Sequence, residues 1–342
     1  MINDRVETIY FGGGTPSLLN TDDLRLLIDA VYNNYEVIDN PEITLEANPD
    51  DLMSSRVESR GLFRDYLKLG INRLSIGIQS FFDDDLRDMN RAHSSQEAKN
   101  CLTEATEHFG NITIDLIYGI PTMSNRKWQE NLDIAFSFGV PHISSYALTV
   151  EPKTALDSFI KKEKYPPIDE SQSLEHFNTL VAETEKQGYV QYEVSNFAKP
   201  DYFSKHNTSY WQGKAYLGIG PSAHSFDGVS RSWNVANNAK YINTIRENNL
   251  PSTKEVLSIN DRFNEYVMTG LRTIWGVSLQ KVQKEFGDKY LHHLKKSTEK
   301  YNNQGLLVTL KDPLASNDEE RLTSTKRGRF LIDGIASDLF MI

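Results

Sequence analysis

The first half of the chain alternates strand-like and helix-like segments, and no other feature narrows its fold as much. Short apolar runs at 6–11, 43–47, 73–78, 112–118 and 142–148 are separated by helical patterns at 21–35, 54–69, 96–109 and 127–138. Strands joined through helices of this length read as successive parallel units, with the helices wrapped over the sheet. The runs end in polar or glycine-bearing turns: Gly12-Gly-Gly14, Glu46-Ala-Asn-Pro49, Gly77-Ile-Gln-Ser80, Asp115 ahead of Tyr118-Gly-Ile-Pro121, and Tyr146-Ala-Leu-Thr149. Ligands of parallel α/β folds bind at the carboxyl ends of strands, so these turns are expected to share one rim that holds the site.

After Glu151-Pro-Lys153 the character changes. A long helix is expected around 171–186, followed by Val190-Gln-Tyr-Glu-Val-Ser-Asn196 and a glycine- and aromatic-rich region over 197–238. From about residue 260 the pattern is two or three helices, a short strand at 306–310, an acidic loop at 316–320, and Arg321-Leu-Thr-Ser-Thr325 before a last helix. That order resembles a small winged-helix module; with no basic recognition helix evident, it reads as a cap or partner surface. Three regions are therefore expected: 1–150, 151–255 and 256–342.

Composition removes several function classes. The 342 residues allow a large core, and 39% hydrophobic with 25% charged residues is the balance of a water-soluble globular chain. A net charge of −10, with no long run of Lys or Arg, argues against a surface that tracks nucleic-acid phosphates and for a small-molecule partner. No apolar run reaches the length of a membrane span, which leaves only peripheral membrane contact, and Met1-Ile-Asn-Asp-Arg-Val6 carries no secretory pattern, so the cytoplasm is expected. The one cysteine, Cys101, shares a helical face with Ala98, Leu102 and Ala105 and reads as a packed core thiol. One thiol makes no intrachain disulfide and no multi-thiolate metal site.

The residues suited to chemistry lie at the strand ends. Three consecutive glycines let a backbone bend sharply and offer N–H groups to an anion or an amino-acid carboxylate, and Thr15 follows as a cap. Taken alone such a loop is more often a plain tight turn; it is neither a Walker loop nor the spaced dinucleotide pattern. Glu46, Gln79 and Asp115 interrupt otherwise apolar strands, and Arg91 follows Gln79 closely. Buried polar groups need partners, so isolated ones at strand ends point to a ligand. Carboxylates suit a ribose or an ammonium and arginine suits a carboxylate, which together fit a zwitterionic nucleoside.

Nine segments occur in the order and spacing of a known family: IYFGGGTPSLL, LEANPDDL, GINRLSIGIQSF, RAHSSQEA, IDLIYGIP, HISSYALTVEPKT, YEVSNFAKP, HNTSYW and YLGIGPSAHS. From Thr8 onward the chain resembles the oxygen-independent coproporphyrinogen oxidase-like branch of radical S-adenosylmethionine (radical SAM) proteins and, more narrowly, HemW-type heme chaperones. The resemblance implies a partial (β/α)6 barrel of TIM type lacking its first strand, with a helical, winged-helix-like C-terminal domain. It also implies S-adenosyl-L-methionine contacts at Gly13, Gly14, Thr15, Glu46, Gln79, Arg91 and Asp115.

The family's Cys-x-x-x-Cys-x-x-Cys loop, which holds a [4Fe–4S] cluster, would lie upstream of Thr8, where this sequence has only Met1–Glu7. The chain thus reads as a truncated form or as a cluster-less relative, with the cluster expected in a full-length protein only and no radical chemistry from the sequence as it stands. His206-Asn-Thr-Ser-Tyr-Trp211 is similar to the HNxxYW motif of the chaperone branch. This makes His206 the implied axial ligand of heme iron, with Tyr210 and Trp211 to cover a porphyrin face and His224 as a second candidate. The same histidine could also be a structural residue bonded to backbone. The implied function is heme binding for transfer to an acceptor protein; the alternative is oxidative decarboxylation of coproporphyrinogen III in porphyrin biosynthesis.

Overall fold

The computed structural model describes residues 5–53, 61–311 and 319–342 and divides into two compact units, Asn3–His206 and Asn207–Ile342. In the first, β1 (Val6–Phe11), β2 (Val37–Ala47), β3 (Arg73–Gln79), β4 (Ile112–Tyr118) and β5 (His142–Ala147) pair side by side in chain order, all parallel. The antiparallel hairpin of β6 (Val190–Glu193) and β7 (Asn196–Ala198) joins the sheet through β7 beside β5. The seven strands form one curled half-barrel sheet. Between the strands run α1 (Thr21–Asn34), α2 (Pro49–Leu52), α3 (Leu62–Lys68), α4 (Asp83–Asp88), α5 (Ser95–His108) and α6 (Asn125–Ser137). After β5 come α7 (Ala155–Lys161) and α8 (Glu170–Lys186), and α9 (Lys205–Trp211) follows β7.

All five expected parallel strands are present. The main difference is β2, which begins at Val37 rather than Ile43 and takes in Pro41. Proline has no N–H for a ladder, and the pairing of β1 with β2 is correspondingly irregular between Val6 and Thr8. Of the helix expected over 54–69, the part at 54–60 lies outside the described residues. Local signals set several helix starts: Asn20 accepts the Asp23 N–H, Ser94 and Glu97 form a reciprocal capping box, and Ser124 accepts the Lys127 N–H.

Alternation along the strands gives the sheet two unlike faces. Ile43 and Leu45, Leu74, Ile76 and Ile78, Ile112, Ile114 and Leu116, and Ile143 are buried on the helix-covered side. Full burial of each such side chain contributes about 1.5–3 kcal/mol. The residues between them are polar, and the register sets Glu46 beside Ser75, Ser75 beside Thr113, and Asp115 beside Ser144 across neighbouring strands. A face built this way lines a site rather than a packed core.

The second unit holds a three-stranded antiparallel sheet of β8 (His224–Phe226), β9 (Ser230–Asn234) and β10 (Ser252–Val256), with α10 (Asn238–Arg246) between β9 and β10. The sequence reading gave this region no sheet. Next come α11 (Ile259–Leu271), β11 (Val277–Ser278), α12 (Leu279–Phe286), α13 (Asp288–Asn303), β12 (Leu307–Lys311), β13 (Glu320–Ser324) and α14 (Ile332–Asp338). The sheet order β11–β13–β12 with these helices is a winged-helix arrangement, centred on Phe263, Phe286 and Tyr290. Arg321-Leu-Thr-Ser324, given no element from sequence, belongs to β13 and pairs with β12. The acidic loop expected at 316–320 falls, over 316–318, outside the described residues. Among the described residues no helix is long and apolar enough to cross a membrane.

Candidate functional site at the strand ends

The carboxyl ends of β1 to β4 surround one open cavity. Gly14, Thr15, Glu46, Gln79, Arg91 and Asp115 all line it, so six of the seven residues implied for adenosylmethionine come together there. The seventh, Gly13, joins through its backbone: its N–H donates to Glu46 Oε2 at 3.2 Å. Gly13 and Gly14 have φ of +75° and +66°, and a Cβ at either would meet nothing within 4 Å. The loop therefore needs glycine for its backbone path and not for space.

Glu46 is the node of the cavity. Its Oε1 accepts the Tyr10 hydroxyl at 2.6 Å while Oε2 takes the Gly13 N–H, tying the end of β2 to β1 and its loop. Gln79 has φ +66°, a left-handed conformation rare for a residue with a side chain, at a register shift between β3 and β4. Arg91 donates to Asn48 Oδ1 at 2.8 Å and to the Gly77 carbonyl at 3.4 Å. At Gly77 a Cβ would lie 3.0 Å from Gln79 Nε2, 3.1 Å from Arg91 Nη2 and 3.2 Å from Asn48 Oδ1, so the strand carries glycine where three cavity side chains converge.

Asn48, Ser75 and Gly77 also line the cavity; Asn48 and Gly77 lie in turns expected on the rim from sequence, but none of the three was singled out as a contact. Asn48 stood inside the quoted LEANPDDL segment, directly after strand residues and before Pro49. That position was the available signal.

Asp115 carries the clearest electrostatic mark. Burial, reinforced by the charge of Glu46, pushes its carboxyl from 3.8 up to about 7, against the pull of Arg73, Arg91 and Ser144. The folded state thus favours the protonated acid. This contribution to stability is full below the ordinary carboxylate range and is lost as pH rises through about 7. Asp115→Asn cannot ionise and is expected to lose less stability than the native chain between about pH 4 and pH 8. Thermal melts of both proteins over that range check this, and parallel curves would contradict it.

His206 does not line the cavity. It lies beside β1, with Nδ1 2.8 Å from Thr8 Oγ1, and its ring stacks on Tyr10 at 4.5 Å between centroids and 17° between planes. Tyr10 is shared, since its hydroxyl serves Glu46 and its ring serves His206. Burial, followed by the positive charge of Arg73, pushes the His206 imidazole down to about 4, so it is neutral at physiological pH.

Within the second unit, Tyr210 meets Tyr216 edge-on, and Arg272 lies 5.3 Å from the Trp211 ring. His224 is exposed and stacks on Trp233. Cys101 is fully buried in α5, where burial pushes its thiol up.

Residues 1–135 match the model of the radical SAM superfamily, and 257–331 match the HemN C-terminal domain. The heme chaperone HemW of Bacillus subtilis (strain 168) is 33% identical over 335 residues, covering 95% of this chain and 83% of that protein. HemW of Mycobacterium tuberculosis (strain H37Rv) is 32% identical over 336 residues, covering 98% of this chain and 80% of that protein. Among solved structures, coproporphyrinogen III oxidase (HemN) of Escherichia coli, a radical SAM enzyme, superposes with a TM-score of 0.80 at 22% identity, covering 98% of this chain and 78% of that one. That last likeness is one of fold. Strand-end cavity, C-terminal domain and near-full-length relatives agree, and the chain belongs to the HemW-type branch of the radical SAM family.

Proposed function

We propose that this chain binds heme through His206 for transfer to an acceptor protein and holds S-adenosyl-L-methionine in the strand-end cavity. The observation that carries the heme reading is the state of His206: a neutral imidazole, stacked on Tyr10 and bonded through Nδ1 to Thr8. Heme, were it bound, would supply an iron for which a neutral imidazole such as His206 is a suitable ligand. The low value at His206 keeps that nitrogen unprotonated well into the acid range.

For adenosylmethionine, Glu46 and Asp115 suit hydroxyls and an ammonium, Arg91 suits a carboxylate, and the loop at Gly13 and Gly14 allows close backbone approach. The [4Fe–4S] cluster that the family implies needs several thiolates, and this sequence has only Cys101, which is enclosed in α5. These residues do not fit the cluster. The heme reading does not depend on it. Relatives matched over nearly the whole chain carry the chaperone name, whereas the likeness to the oxidase rests on fold, so chaperone is preferred to decarboxylase.

Heme titration of the native chain followed at the Soret band tests this reading. Saturable binding is expected, with the His206→Ala spectrum lacking the histidine-ligated form and His108→Ala unchanged. Identical titrations of all three proteins would overturn it.

A further inference from the structure

We propose that Thr8 and Glu42 are positioning residues for His206, the hydroxyl setting which ring nitrogen faces a metal and the carboxylate fixing the backbone that carries the ring. The inference rests on the reading of His206 as an iron ligand and deepens it. Glu42, 4% exposed, accepts the N–H of Lys205 at 3.1 Å and the N–H of His206 at 2.9 Å, one on each carboxylate oxygen. Just before them, the Tyr192 hydroxyl accepts the Ser204 N–H at 3.4 Å and is itself 2.7 Å from His142 Nε2. Three successive N–H groups at the start of α9 are therefore held by side chains from β2 and β6. Glu42 is steadied in turn by Arg73, whose Nε lies 3.9 Å away and which also donates to Thr113.

The ring itself is gripped from β1. Tyr10 covers one face, and Thr8 Oγ1 engages Nδ1. A hydroxyl can donate or accept. When it accepts, the proton sits on Nδ1 and the lone pair on Nε2, which is the tautomer an iron-ligating imidazole needs. Partners of this kind orient metal-ligating histidines and raise their basicity, and losing them typically lowers affinity about 10–100-fold. Thr8 lies 198 residues from His206 in sequence, so the strand and the helix are joined through this bond by the fold alone.

The test uses the full chain and heme. Thr8→Val keeps the shape and removes the hydrogen bond; it is expected to weaken heme binding roughly tenfold and lower the iron–histidine stretching frequency of the ferrous form. Thr8→Ser restores both. Glu42→Gln keeps an acceptor for one N–H and is expected to weaken binding with a smaller frequency change, since the ring contact remains. Wild-type affinity and frequency in Thr8→Val, with histidine ligation still lost in His206→Ala, would overturn the positioning role and leave His206 as the ligand. Retained histidine ligation in His206→Ala would overturn the ligand assignment and the positioning role together.

Discussion

Exchange of Arg73 for leucine is expected to destabilise the protein by about 3–5 kcal/mol, the usual cost of stranding one partner of a buried ion pair. Arg73 is 1% exposed on the inner face of β3, where it faces Glu42 and donates to Thr113. Its removal leaves a buried carboxylate with the N–H groups of Lys205 and His206 as its remaining partners. It also withdraws the positive charge that helps to keep His206 neutral. Chemical denaturation of the native chain, Arg73→Leu and Arg73→Leu/Glu42→Leu separates pairing from packing. The double variant should recover part of the loss, because no charge is then left alone, while it leaves the Lys205 and His206 N–H groups without the acceptor that Glu42 gave them. Losses that simply add would show that the pair contributes no coupling.

The second large effect is expected at Glu46. Glu46→Gln is expected to weaken S-adenosylmethionine binding by about 1.5–3 kcal/mol, or roughly 10–100-fold, the range for hydrogen bonds to a charged group. The side chain holds Tyr10 and the Gly13 N–H in place, so the change also loosens the glycine loop. The neutral amide removes one of the causes that raise Asp115, whose carboxyl should move back toward its ordinary range. Calorimetric titration of both proteins reads the affinity, and the pH dependence of binding reads the shift. An unchanged dissociation constant would place the ligand elsewhere.

The strands were legible because each has apolar residues on one side and polar ones on the other: Leu74, Ile76 and Ile78 against Ser75 and Gln79, or Ile114 and Leu116 against Asp115. Charged or amide side chains in such runs stand out, which is why Glu46, Gln79 and Asp115 could be singled out. Ser75, Gly77 and Asn48 line the same cavity but are small or neutral and look like ordinary strand and turn residues. Thr8, Tyr10 and Glu42 were invisible for a different reason. Their importance lies in partners 198, 36 and 164 residues away, and only the assembled sheet brings those together. The sheet of β8 to β10 escaped because Ser230-Arg-Ser-Trp-Asn234 and Ser252-Thr-Lys-Glu-Val256 carry almost no apolar alternation, and β10 is exposed along its whole length.

Electron–nuclear double resonance on the heme-loaded chain with nitrogen-15 histidine tests the central claim, that His206 ligates iron, most directly. The account predicts coupling of the ferric iron to a histidine nitrogen in addition to the porphyrin nitrogens. It further predicts that this coupling disappears in His206→Ala and persists in His108→Ala and His224→Ala. A histidine coupling that survives unchanged in His206→Ala would contradict it.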